Sequence, residues 1–208
     1  MKHFLDFGTH RFQGLTEFQG RLSLDENWSV QCFEANPFTY EESQEKSEEF
    51  KDCFRSFSHH NKAVMDQSGT ITMHCHKGAW TPEGEYNERY TSGSNALDNT
   101  PSFDAGNKYV FDIVDAEVEC IGIEEILEEI CTKDPEAEIH IKCDIEGSEF
   151  AILPVLLESE YTKHIVEMYI EWHERFWYES GEYQNKVQER RYYEQMFKKM
   201  NVTMHTHR

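Results

Sequence analysis

Short runs of β-branched and aromatic residues alternate along the chain with longer amphipathic stretches. The runs predict strands, because each is short and is bounded by turn residues. They cover residues 3–7, 28–33, 62–65, 70–75, 139–144, 165–171 and 202–207. The stretches between them have helical periodicity, at residues 14–24, 40–57, 123–130, 150–157 and 189–200.

This alternation of strands and helices predicts an α/β fold, with a largely parallel sheet and helices on both of its faces. Residues 77–108 break the pattern, because Gly, Pro, Ser, Thr and Asn are frequent there and the segment is too long for an ordinary connection. We predict that it is a lid or acceptor loop, or else a disordered segment. Residues 1–208 then form one domain, which could be part of a longer polypeptide.

The composition of the chain limits the classes of partner that we expect it to bind. Acidic residues number 40 against 20 basic ones, for a net charge of −20, which argues against binding to nucleic acid or to anionic membrane surfaces. Neutral polar substrates fit such a surface better. No apolar run has the length of a membrane span. The six cysteines show no CxxC pair, so we expect reduced thiols and a cytoplasmic protein.

The ends of the first two predicted strands indicate a nucleoside pocket. Gly8 allows close approach of a ligand to the backbone, and Asp6 offers a carboxylate beside it. The spacing D-x-G-x5-G differs from the fingerprint that binds a dinucleotide pyrophosphate. Glu34 ends the second strand, where an acidic side chain can accept both hydroxyls of a ribose. A plain turn after each strand would explain the same residues without a ligand.

Two later strands deliver further polar side chains to the same edge of the sheet. Asp144 and Glu146 follow one strand, and Glu171 and His173 follow the next. Because ligands of open α/β sheets bind outside the carboxyl ends of the strands, we expect these groups to face one crevice.

Several of these segments resemble the motifs of a known family. They are residues 6–8, 32–37, 62–64 with the turn at 66–69, 93–94, 142–150 and 170–173. In this order they are similar to successive motifs of the FkbM-type methyltransferases, a branch of the class I S-adenosylmethionine-dependent enzymes. The resemblance implies a Rossmann-like fold, with a mainly parallel seven-stranded sheet and one antiparallel strand near the carboxyl terminus.

The resemblance also implies an activity and a cofactor. Known members are mostly O-methyltransferases of sugar or natural-product hydroxyls, so we expect S-adenosylmethionine as cofactor and a carbohydrate or other small molecule as acceptor. The motifs assign Asp6 and Gly8 to the methionine part of the cofactor, Glu34 to its ribose and Ala63 to the border of its adenine. The remaining cofactor-binding positions implied are Phe7, Thr9, Ala35, Ser94 and Asp144.

Transfer of a methyl group to a hydroxyl needs in-line alignment and a base that takes the proton. Asp144, Glu146, Glu171 and His173 are the candidates, and we favour His173, because its ordinary pKa is near the operating pH. The same histidine could instead pack in the core beside Trp172. Asp144 and Glu171 could also hold a divalent cation such as Mg²⁺, which would orient and acidify the hydroxyl.

Two readings from other classes stay open. One is a nucleotide-dependent oxidoreductase on a similar sheet, against which the missing G-x-G-x-x-G argues. The other is a module that binds the cofactor without catalysis, as part of a larger glycan-synthesis protein. The acceptor, the position methylated and the oligomeric state are left open.

Overall fold

The computed structural model describes residues 1–87, 94–96, 103–104 and 108–207. Eleven strands occur in these ranges: β1 (Lys2–Phe7), β2 (Trp28–Phe33), β3 (Ser56–His60), β4 (Ala63–Met65), β5 (Gly69–Trp80), β6 (Tyr86–Asn87), β7 (Phe103–Asp104), β8 (Tyr109–Gly122), β9 (Glu138–Cys143), β10 (Ile165–Ile170) and β11 (Thr203–Thr206). The α-helices are α1 (Gln13–Leu22), α2 (Pro37–Glu48), α3 (Ile123–Lys133), α4 (Glu149–Glu158) and α5 (Tyr183–Lys199). Short 3₁₀ helices follow α4 and β10, at Glu160–His164 and Glu174–Trp177.

Six strands form a parallel sheet in the order β11-β10-β9-β1-β2-β3. Each neighbouring pair in it is parallel, including β10 and β11, where Met168 lies opposite Met204. The α/β architecture with a mostly parallel sheet is confirmed. Within the described residues, however, the sheet has six strands instead of the expected seven, and its last strand is not antiparallel. Helix α5 explains the direction of β11, because it carries the chain back along the sheet before that strand begins.

The strand number of the main sheet differs from the prediction because two predicted strands lie elsewhere. The predicted strands at 62–65 and 70–75 belong to another sheet, in which β4, β8, β5 and β6 are neighbours and β7 pairs with β8. The predicted helix at 40–57 is also too long. It ends at Glu48, and Ser56–His60 forms the edge strand β3 beside β2.

The segment predicted as a lid is partly regular structure. Residues 77–80 extend β5, and Tyr86–Asn87 form β6 against it. β8 then runs antiparallel to β5 over most of its length. Residues 88–93, 97–102 and 105–107 lie outside the described residues, so the lid stays a prediction there.

Side chains of the central strands point alternately to two cores. On one face, Leu5 and Phe7 pack with α3, α4 and α5, in a cluster that includes Leu127 and Leu153. On the other face, Phe4 packs with α1 and with aromatic residues of the segment that follows α2, in a cluster that includes Phe18. With both faces covered, the ligand-accessible part of the sheet is the edge where its strands end.

Candidate active site

A cavity of about 360 Å³ lies at the carboxyl ends of β1, β2 and β9. This volume is in the range of small-molecule sites. Nine predicted site residues line it: Gly8, Thr9, Glu34, Ala35, Ala63, Ser94, Asp144, Glu146 and Glu171. Asp6, Phe7 and His173 are fully buried and are not part of the lining. Phe7 packs in the core, with its ring 5.5 Å from that of Phe33.

The Gly8 turn joins the ends of β1 and β9. Gly8 has φ +73°, and a β-carbon at this position would lie 1.7 Å from the carbonyl oxygen of Asp144. The Gly8 N–H donates to the carbonyl of Phe33 at 3.0 Å. Glycine is therefore required here by the close approach of two strand-end turns, in addition to any approach of a ligand.

Asp6 lies beneath the cavity and forms an ion pair with the buried Lys142. Lys142 Nζ is 3.2 Å from Asp6 Oδ1, donates to the Gly8 carbonyl at 2.6 Å and lies 3.4 Å from Asp144 Oδ2. Burial opposes the charge on Lys142, but Asp6 and Asp144 outweigh it and raise the pKa of this lysine. Thr9 Oγ1 donates to the second oxygen of Asp6 at 2.8 Å. A direct contact of Asp6 with the cofactor stays a prediction.

Glu34 lines the cavity with a carboxylate that the backbone orients. Oε2 accepts the His10 N–H at 2.8 Å, and Oε1 accepts the Asn36 N–H at 2.8 Å. Burial raises the pKa of Glu34 to about 7, although these two N–H groups act in the opposite direction. The carboxylate is thus fixed in the cavity wall, and its contact with a ribose stays a prediction.

Asn36 connects the Glu34 turn to Ser94. Its Nδ2 donates to Ser94 Oγ and to the His76 carbonyl, both at 2.9 Å. Ser94 Oγ also accepts the His76 N–H at 2.8 Å. These bonds hold Ser94 in the cavity wall, while its predicted neighbour Gly93 lies outside the described residues.

The opposite end of the cavity carries a cluster of charged groups around His173. Its Nε2 is 3.2 Å from Glu146 Oε2, 3.7 Å from Asp144 Oδ1 and 3.8 Å from Glu171 Oε1. Burial lowers the pKa of His173, but Glu149, Glu146 and Asp144 outweigh that effect and raise it to about 8. Burial raises the pKa of Glu146 to about 7, against the opposing charge of His173. The structure therefore brings all four sequence candidates for proton transfer together.

Two residues of this site carried no assigned role in the sequence reasoning, Lys142 and Glu149. Both are buried, and both bond to strand-end turns. The available signals were a lysine inside an apolar strand and a second acidic residue just after Glu146-Gly147, where the next helix begins. An acidic side chain there is common for reasons of helix stability, which hides the other role.

The end of the cavity around His173 also has the chemistry of a cation site. One ligand atom each from Asp144, Glu146 and His173 lie within 4.8 Å of one another. His173 Nε2 and Glu146 Oε2 are buried and have no hydrogen-bond partner among the described residues. Glu171, predicted as a ligand together with Asp144, lies outside this group of three. Two carboxylates and an imidazole fit a divalent cation.

Comparison with known proteins decides the family. A family model described as the methyltransferase FkbM domain matches residues 6–207, nearly the whole chain. The chain belongs to the FkbM methyltransferase family. No curated protein and no solved structure gives a significant match.

In this FkbM-family methyltransferase the matched region includes both ends of the cavity, from the Gly8 turn to His173. The resemblance seen in the sequence is confirmed, and the family suggests S-adenosylmethionine as cofactor and implies a small-molecule acceptor. Among the described residues, none of the helices combines the length and the apolar character needed to cross a membrane. All six cysteines are free thiols.

Proposed function

We propose that this FkbM-family methyltransferase transfers a methyl group from S-adenosylmethionine to a hydroxyl of a sugar or glycan. The observation that carries the proposal is the two-ended cavity: Glu34 lies at one end and the cluster of Asp144, Glu146, Glu171 and His173 at the other. Methyl transfer to a hydroxyl needs one group that holds the nucleoside of the cofactor, here a carboxylate, and another that accepts the proton of the hydroxyl. The choice of a carbohydrate comes from the family resemblance.

At the cofactor end, Glu34 accepts the ribose hydroxyls with the lone pairs that its two backbone bonds leave. Ala35 and Ala63 border the adenine, and Ser94 lies beside them in the cavity wall. Gly8 and Thr9 contact the methionine part, with Asp6 behind them. The small side chains at 35 and 63 leave room for a planar base.

At the acceptor end, displacement at the methyl carbon requires the hydroxyl oxygen in line with the carbon–sulfur bond. Asp144 and Glu171 line the cavity and position the hydroxyl. His173 is fully buried, so its Nε2 receives the hydroxyl proton by way of the Glu146 carboxylate, which lines the cavity and lies 3.2 Å from that nitrogen. Because the pKa of His173 is raised to about 8, only the minor neutral fraction acts as base at pH 7. Residues 77–108, in part described, would cover the acceptor.

A second candidate is a methyltransferase that depends on a divalent cation and acts on another small hydroxylated metabolite. The observation that favours it is the group of Asp144, Glu146 and His173, with its buried unbonded atoms. Oxygen ligands suit Mg²⁺ or Mn²⁺, and the imidazole shifts the preference toward Mn²⁺. A bound cation supplies acidification of the acceptor hydroxyl. In this case His173 is a ligand and not the base.

Calorimetry with S-adenosylmethionine, S-adenosylhomocysteine and NAD tests the cofactor. We expect the first two to bind; binding of NAD alone would instead support an oxidoreductase. Methyl transfer to a panel of neutral sugars, with and without EDTA and added Mn²⁺, then separates the two candidates. Binding without transfer would indicate a non-catalytic module.

The free thiols favour the cytoplasm as the place of the reaction.

His173→Ala tests the base directly. We expect a loss of about 10²–10⁴-fold in kcat, the usual contribution of general-base catalysis. His164→Ala, at the other end of β10, is the matched control and should retain full activity. Unchanged turnover in His173→Ala would remove the base assignment.

A further inference from the structure

Glu149 is a buried carboxylate that the proposed reaction does not use. It stands at the first position of α4 and is 0% exposed. Its Oε2 accepts the N–H of Gly147 at 2.9 Å, and its Oε1 accepts the N–H of His173 at 2.8 Å. The same Oε1 lies 3.4 Å from Nδ1 of the His173 ring. A carboxylate of this kind is costly to bury, so these bonds to N–H groups have to offset its lost hydration.

The two N–H groups belong to different turns. Gly147 lies in the turn after β9, which carries Asp144 and Glu146. His173 lies in the turn after β10, which carries Glu171. Backbone pairing between these strands ends with the Glu171 N–H and the Cys143 carbonyl, at 2.9 Å. Beyond that point, the Glu149 side chain joins the two turns.

We infer that Glu149 is a positioning residue that holds the two acceptor-end turns in register and aims His173 Nε2 at Asp144 and Glu146. The catalytic consequence rests on the proposed function, whereas the geometry does not. Glutamine is the informative replacement. Its amide has one accepting oxygen and one donating NH₂, so one of the two backbone N–H groups would face a donor.

The test compares Glu149→Gln and Glu149→Asp with wild type, and uses Glu158→Gln as control, since Glu158 is exposed at the other end of the same helix. Amide hydrogen exchange at Gly147 and His173, followed by NMR, reads the two bonds without any activity. We expect Glu149→Gln to speed exchange by about tenfold or more at whichever of these two amides faces its NH₂ group, the size of one lost charged hydrogen bond. Glu149→Asp, which is shorter, should lose protection at one of the two.

The kinetic readout separates positioning from general stability. With the sugar methylated by wild type, Glu149→Gln should lower kcat by about 10²-fold, as expected for a displaced reacting group. Its Kd for S-adenosylmethionine should stay within about twofold, because a change under 0.4 kcal/mol is expected at the distant cofactor end. Glu149→Asp should recover part of the rate, and Glu158→Gln should match wild type.

Three results would overturn the inference. The first is unchanged protection of both amides in a folded Glu149→Gln protein, or in Glu149→Asp if the glutamine variant does not fold. The second is a parallel loss of kcat and cofactor binding, which indicates a structural role alone. The third is failure of both variants to fold. If wild type transfers no methyl group, the proposed function fails, while the amide exchange still decides the role of Glu149.

Discussion

The two ends of the cavity satisfy their charged groups in different ways. At the cofactor end, backbone N–H groups bond both oxygens of Glu34. At the acceptor end, Glu146 and His173 face each other with buried atoms that lack hydrogen bonds within the described ranges. A carboxylate fixed by the backbone keeps its position when neighbouring side chains change. Apart from Glu149, which two backbone N–H groups bond, the acceptor end depends on a balance of side-chain charges. We therefore expect substitutions, changes of pH and bound ligands to alter the geometry of this end more than that of the cofactor end.

Lys142 lies between the two ends, and its removal should have the largest effect. Lys142→Met leaves Asp6 buried without its cation, which typically costs about 3–5 kcal/mol of unfolding free energy. Urea unfolding measures the loss. The exposed Lys133, paired with Glu129 on α3, is the control, and Lys133→Met should cost under about 1 kcal/mol. Equal costs for both variants would mean that the lysine does not join the ends.

The Gly8 turn should rank next. Gly8→Ala adds a methyl group against the Asp144 carbonyl in a backbone of positive φ, for a loss of about 2–4 kcal/mol. Gly84 is a useful control, because it has φ +84° and no atom within 4 Å of an added β-carbon. Gly84→Ala should therefore show the backbone strain alone, about 1 kcal/mol. If the two variants unfold at the same urea concentration, the close contact between the turns is not rigid.

The acceptor end should respond to pH through His173. The neutral form of this histidine becomes the majority only above pH 8, since its pKa is raised to about that value. If it is the base, kcat/KM should rise about tenfold per pH unit below pH 8 and level off above it. A flat profile from pH 6 to 9 would contradict this, and would favour activation of the hydroxyl by a cation.

The smallest effect should come from Glu34, at the cofactor end. Its pKa is about 7 in the folded protein and ordinary when unfolded, so the folded state binds the extra proton between about pH 4.5 and 7. Stability from this group is therefore highest at low pH and is lost as the pH rises to 7. Glu34→Gln should flatten the pH dependence by about 1–3 kcal/mol, a discounted estimate for one buried carboxyl. A steeper dependence in the variant would reverse the assignment.

Much of the fold was predictable, because the strands β1, β2, β9 and β10 are short and mostly buried, and each carries several apolar residues. β3 was not, because Ser56–His60 contains mostly polar residues and follows a helical pattern directly. β8 was missed for a related reason: it pairs with β5 in a narrow sheet, and most of its length has no fully buried side chains. Apolar periodicity marks a strand only where one of its faces meets a core.

The site residues also fall into two groups, those that the local sequence predicts and those that depend on distant contacts. Glu34, Asp144 and Glu171 were predictable, because parallel strands place their carboxyl ends together. Lys142 and Glu149 gain their roles from burial and from partners far along the chain, such as Asp6 and His173. Local sequence does not encode such contacts, so only the assembled structure shows them.

The central position of β1 has a consequence for how the protein forms. β1 pairs with β9, so residues near the start of the chain wait for Glu138–Cys143 before their sheet position is complete. The lysine that contacts the Gly8 turn is on that late strand. Such long-range pairing slows folding and exposes unpaired strands meanwhile. During synthesis, the cavity can be completed only after Glu171, which lines it, has left the ribosome, so the early strands stay part of an incomplete sheet until then.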